Sequence, residues 1–198
     1  MQILKNIYPM VNKFKNCRGI FTSSIKFNKT KTKHDKRRLP KQLTPLAWLE
    51  GTWRTVKAVM DHPKIKEPFL FDEVITFTNL GHKPLFFYTS IATKDKTLLH
   101  HEVGHLFIDD KKTVGLLAVH KFGCTTIEQG QLKKNNSIEL YSCDIGSSKF
   151  IKKPLYGTYR LYALNSCGQL TYKLALASHP GHLIDHVWCT YEKREKCH

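Results

Sequence analysis

The sequence predicts an all-β domain that closes as an antiparallel up-and-down barrel of roughly ten strands, of the lipocalin or fatty-acid-binding-protein kind. Three observations predict it. From Thr44 onward the chain runs as short segments rich in β-branched and aromatic residues. Turn-forming clusters punctuate these segments throughout. No segment beyond Glu50 carries the apolar period of a long helix. A sheet of this size has two open edges unless it closes, and closure makes a cup that can hold a small ligand.

Leu46-Ala-Trp-Leu49 reads as one helical turn leading into Gly51-Thr-Trp53. The strands expected after it are Thr52–Val59, Phe69–Thr78, Leu85–Ala92, Leu98–Ile108 and Val114–Lys121, then Thr125–Gln129, Ser137–Asp144, Leu155–Leu164, Gln169–Ala177 and Leu183–Glu192. Between them stand turn signals such as Asp61-His-Pro63, Asn79-Leu-Gly81, Lys133-Lys-Asn-Asn136 and Asn165-Ser-Cys-Gly168.

The formal net charge of +16 first suggests a nucleic-acid or membrane partner, and its distribution argues against that. Residues 1–43 carry twelve Lys and Arg against one acid, Asp35, whereas residues 44–198 carry twenty against fifteen. The charge therefore belongs to a tail, 1–43, and the domain at 44–198 is only mildly basic. Met1–Lys33 is free of acids, and Ile3, Leu4, Ile7, Met10, Val11 and Phe14 recur at helical steps. With Arg18-Gly-Ile-Phe-Thr-Ser-Ser24 behind it, this segment resembles a mitochondrial presequence; a disordered basic extension is the alternative. The six cysteines form no Cys-x-x-Cys pair and no secretory signal precedes them, which points to reduced thiols in an intracellular compartment. No apolar run is long enough to cross a bilayer as a helix.

His101-Glu-Val-Gly-His105 matches the zinc-protease pattern His-Glu-x-x-His. That chemistry needs a helix, where residues four apart share a face. Here the flanks, Leu98-Leu-His100 and Leu106-Phe-Ile108, are those of a strand. On a strand His101 and His105 lie about 13 Å apart at ~3.3 Å per residue, too far for one ion to bridge.

Metal chemistry is better placed near the C-terminus, in His179-Pro-Gly-His182-Leu-Ile-Asp-His186-Val-Trp-Cys-Thr-Tyr191. His186 opens a strand-like run behind the Pro180-Gly181 turn. A neutral imidazole there can offer one nitrogen to a metal; a hydrogen-bonded structural histidine is the alternative. Strand alternation adds a condition. Val187, Cys189 and Tyr191 are the more apolar set, which turns His186 away from the interior unless a bulge follows the turn or both faces are buried.

A family likeness runs from Leu46 to Lys193. It is carried by Leu46-Ala-Trp-Leu-Glu-Gly-Thr-Trp53, Pro63-Lys-Ile65 with Pro68-Phe-Leu-Phe-Asp-Glu-Val74, and Leu80-Gly-His-Lys-Pro-Leu85. It continues through His100-His-Glu-Val-Gly104, Glu128-Gln-Gly130, Phe150-Ile-Lys-Lys-Pro154, Tyr159-Arg-Leu161 and the closing His186-Val-Trp-Cys-Thr-Tyr-Glu-Lys193. In order and spacing these resemble the nitrobindin family of haem-binding β-barrels, which includes the C-terminal domain of a THAP-type zinc-finger protein. The resemblance implies ferric b-type haem near the barrel mouth, with His186 as the single protein ligand to its iron. It places Leu99, His100, His120 and Leu176 in the haem pocket and Thr52 and Trp53 close by. His100 is the next catalytic candidate after His186. The implied activity is nitric oxide binding and isomerisation of peroxynitrite to nitrate. A non-catalytic carrier of haem or another apolar ligand would present the same pocket.

Overall fold

Ten long strands wrap into a closed antiparallel barrel in which each pairs with its neighbours in the chain. They are β1 (Gly51–Met60), β3 (Asp72–Asn79), β4 (Leu85–Lys94), β5 (Thr97–Ile108), β6 (Thr113–His120), β7 (Cys124–Lys133), β8 (Ser137–Ser147), β9 (Gly157–Leu164), β10 (Leu170–Ala177) and β11 (Leu183–Lys193). A two-residue strand, β2 (Phe69–Leu70), pairs beside the end of β1. Closure is made by β11, whose residues from Val187 to Lys193 pair with β1. The computed structural model describes residues 38–194 except 64, 82, 110, 150, 152 and 153, so the presequence expected in the tail lies outside the described residues. No described helix is long and apolar enough to cross a membrane.

All ten expected strands form. The segment Phe69–Thr78 differs in being broken at Phe71, which leaves the strand line to bury its ring. The break faces a bulge in β1, where Val56 is the extra residue between the pairs Thr55–Tyr191 and Lys57–Thr190.

The single helical turn expected at Leu46–Leu49 is a longer 3-10 helix, Lys41–Leu49. Its length follows from Leu43, Leu46 and Leu49. A spacing of three matches the three residues per turn of a 3-10 helix, so all three leucines fall on one edge and are wholly buried. That edge packs into the same apolar cluster as Trp53, Phe77, Phe86 and Leu106. The Trp53 Nε1–H donates to the Leu49 carbonyl at 2.8 Å and fixes the helix to the start of β1. The solid part of the core therefore fills this half of the barrel.

Candidate functional site

The other half is hollow. A cavity of about 240 Å³ lies among the end of β1, the start of β5, the end of β6 and the start of β11. Met60, Phe71, Phe122, Leu155, Leu174 and Val187 give it apolar walls.

His186 stands on that wall because of a bulge. Along β10, Leu174 pairs with Val187 and Ala175 with Asp185, so His186 is the unmatched residue between them. The extra residue lets both His186 and Val187 line the cavity. This resolves the alternation conflict: Val187, Cys189 and Tyr191 point inward as the period requires, and His186 joins them only because the period is broken just before Val187. Asp61 clasps the bulge from across the barrel seam. Its N–H donates to the His186 carbonyl at 2.9 Å, and its own carbonyl lies 3.0 Å from His186 Nδ1. A carbonyl only accepts, so Nδ1 carries the hydrogen and Nε2 carries the lone pair. Burial holds the His186 pKa below its ordinary value, offset in part by the Asp61 bond, and the ring is neutral at neutral pH. His62 packs edge-on against it with ring centroids 5.4 Å apart.

The cavity wall also carries a buried polar network. Arg160, 1 % exposed, donates from Nη1 and Nη2 to the two oxygens of Glu102 at 2.6 and 3.1 Å. Its Nε lies 3.0 Å from Glu128 Oε1 and 2.8 Å from Oε2, aligned with the first alone. Glu102 Oε2 also lies 2.9 Å from His100 Nε2 and 3.1 Å from His120 Nδ1. Burial alone would raise the Glu102 pKa, yet Arg160 and the two histidines together hold it well below the ordinary carboxylate value. Glu73 is a separate buried carboxyl, bonded by Ser90 and by the Tyr191 hydroxyl at 2.7 Å. Thr158 Oγ1 is buried on the same wall without a partner.

Of the expected pocket residues, Leu99, His100, His120, Leu176 and His186 line this one cavity. Leu99 and His100 do so together because β5 bulges there: Ala92 pairs with His100 and Thr93 with Leu98. Thr52 and Trp53 are elsewhere. Thr52 Oγ1 lies 3.2 Å from Thr76 Oγ1, and Trp53 is locked against Leu49. They sit at the start of β1 while Met60, at its end, reaches the cavity, a separation on the order of 20 Å at strand rise. His101 and His105 also fall outside. Burial along β5 alternates so that Glu102, Gly104 and Leu106 point inward and His101, Val103 and His105 outward. Glu102, Arg160, Glu128 and Thr158 were not expected from the sequence. The available signals were that Glu102, Glu128 and Arg160 fall within segments carrying the family likeness, and that Glu102 shares a strand face with His100, two residues away.

The donor set fits a haem iron. A neutral imidazole, pinned at one nitrogen and open at the other, faces a largely apolar hollow, and the orphaned Thr158 hydroxyl awaits a partner from whatever fills it. Comparison with known proteins agrees. Residues 42–193 match the family described as THAP4-like, heme-binding beta-barrel domain. The chain is 24 % identical over 163 residues to a protein named peroxynitrite isomerase THAP4 from Rattus norvegicus, covering 81 % of this chain and 28 % of that one. The Homo sapiens protein of that name is 24 % identical over 152 residues, covering 75 % of this chain and 26 % of its own length. The chain thus spans little more than a quarter of these relatives. The crystal structure of Rv2717c from M. tuberculosis superposes with a TM-score of 0.70 at 27 % identity, covering 80 % of this chain and all of that one. With this match over most of its length, and a pinned histidine at the mouth of a closed ten-stranded barrel, the chain belongs to the THAP4-like, heme-binding β-barrel domain family.

Proposed function

We propose that the chain holds ferric b-type haem on His186, binds nitric oxide there, and isomerises peroxynitrite to nitrate. The observation that carries the reading is the His186 ring, with Nδ1–H committed to Asp61 O and Nε2 left for a ligand in the cavity. The isomerase part leans on the relatives named peroxynitrite isomerase THAP4. When bound on His186, haem would supply an iron centre for a small ligand and the redox chemistry that acts on it.

The chain's own residues do the rest. The Asp61 carbonyl fixes the tautomer and orientation of His186 and makes Nε2 a stronger donor. Met60, Phe71, Leu174 and Val187 would surround a bound ligand with apolar side chains and limit competing reactions with water. Thr158 offers a single hydroxyl for a hydrogen bond to the bound group. His100, half-buried on the wall and tethered to Glu102, sets the polarity near the ligand.

An absorption titration with haem tests the ligation. Wild type and His100→Leu should give a Soret band of one haem per chain, and His186→Ala should lose it while keeping its far-UV spectrum. His179→Ala and His182→Ala should match wild type. Stopped-flow decay of peroxynitrite then tests turnover: acceleration by loaded wild type and not by His186→Ala is expected. A loaded protein without acceleration would be a carrier, and full haem content in His186→Ala would remove the site assignment.

A further inference from the structure

The protons of the polar wall do not balance without an extra cation. Thr126 Oγ1, fully buried, gives its hydrogen to Glu128 Oε1 at 2.9 Å. At its contact with His120 Nε2, 3.1 Å away, it can therefore only accept, and Nε2 carries a hydrogen. A neutral His120 then has its lone pair on Nδ1, which faces the Glu102 Oε2 lone pairs at 3.1 Å. Two lone pairs at that distance repel. The same oxygen is also approached by His100 Nε2 at 2.9 Å and Arg160 Nη2 at 3.1 Å, three groups on an atom with two lone-pair directions. Something positive belongs between the rings and the carboxylate, either a second ring proton on His120 or a metal ion.

We propose that His100 Nε2, Glu102 Oε2 and His120 Nδ1 bind one divalent transition-metal ion on the cavity wall, separate from His186. Their ligand atoms all lie within 4.8 Å of one another. Two ligands at right angles on ~2.1 Å bonds are about 3.0 Å apart, which is the nitrogen–oxygen spacing on both sides of Glu102. Two imidazoles and one carboxylate, with the remaining positions open, is the set that suits Fe(II), Co(II) or Zn(II) and does not suit Mg(II) or Ca(II). The open positions would face the cavity that all three residues line.

The outer shell is already in place. The Thr126–Glu128 pair takes the remaining ring hydrogen of His120, as partners of metal-bound imidazoles do. Arg160 holds Glu102 at both oxygens and orients it. The ion would use one Oε2 lone pair and leave the other to Arg160, so the crowding on that oxygen disappears. With two carboxyl groups set against one guanidinium on this wall, a cation is also favoured by charge.

The test uses the full chain purified without a polyhistidine tag, free of haem and stripped with chelator. Titration with Co²⁺, followed by its visible absorption, and with Zn²⁺, followed by calorimetry, should each give one ion per chain. Mg²⁺ should not compete. His100→Leu and His120→Gln should each weaken binding at least ~100-fold with unchanged far-UV spectra, and the outer-shell Thr126→Val about 10-fold. His186→Ala and the double change His101→Leu, His105→Leu should bind as wild type, which separates this site from the haem reading and from the His-Glu-x-x-His pattern. Failure to bind either ion, with ¹⁵N spectra showing both His120 ring nitrogens protonated, would overturn the proposal in favour of the proton. Binding that survives both His100→Leu and His120→Gln would overturn it as well.

Discussion

Gly104→Ala separates the two structures that the His101–His105 segment could adopt, because it changes stability with opposite signs. On a helix, glycine to alanine stabilises by about 1 kcal/mol. In this barrel Gly104 lies in β5 between Tyr88 of β4 and Ala118 of β6. A Cβ placed there would sit 1.9 Å from the Leu117 carbonyl oxygen and 3.0 Å from Ala118 Cα, both backbone atoms. A relaxed carbon–oxygen contact is about 3.3 Å, so β5 and β6 must part locally by more than ~1 Å. That weakens about two ladder hydrogen bonds at ~0.5–1.5 kcal/mol each and adds ~1–3 kcal/mol of overpacking. The expected loss is about 2–6 kcal/mol, out of the ~5–15 kcal/mol typical of a domain. Urea unfolding followed by tryptophan fluorescence and far-UV circular dichroism reads it as a fall in midpoint at constant slope. Gly168→Ala is the comparison. No atom lies within 4 Å of a Cβ there, and its φ of +76° should cost only about 1 kcal/mol. A Gly104→Ala protein as stable as wild type, or more so, would refute the strand packing and the exclusion of the protease motif with it.

Other expectations follow from single groups. Thr158→Val should stabilise the haem-free barrel by about 1 kcal/mol, since it removes a buried hydroxyl with no partner, and should weaken haem retention; urea midpoints with and without haem measure both. Iodoacetamide at pH 8 should label Cys143 and Cys167, which are exposed, and spare Cys124 and Cys189 in the native protein, because burial raises the pKa of both thiols; peptide mapping that finds Cys189 modified as fast as Cys143 would contradict its placement. A chain starting at Gln42 should keep the far-UV spectrum and haem content of the full chain. Residues 1–43 fused to a reporter should carry it into mitochondria, and a diffuse or nuclear reporter would refute the presequence reading.

The strands were legible because alternation and turn residues are local, and a barrel's inner face repeats every second residue regardless of what lies across from it. Irregularities were less so. Leu43, Leu46 and Leu49 have a spacing of three that can be read in hindsight as a 3-10 edge, but only the packed half of the barrel makes that edge preferable to an α-helical turn. The bulge at His186 could be posed as a condition, since the apolar set after it disagreed with an inward histidine. Its position depends on pairing with β10 and on the clasp from Asp61, 125 residues away, which no local pattern contains. Thr52 and Trp53 show the complementary failure, because a likeness in sequence says nothing of depth along the barrel axis. The same physics explains the His-Glu-x-x-His match. Letters spaced by four imply a shared helical face, but on β5 the neighbours that matter are two residues along and directly across. Glu102 therefore meets His100 by alternation, His120 by its register with β6, and Arg160 by reach across the interior. The acid in the motif is buried in its setting, and the histidines beside it are those that the motif leaves out.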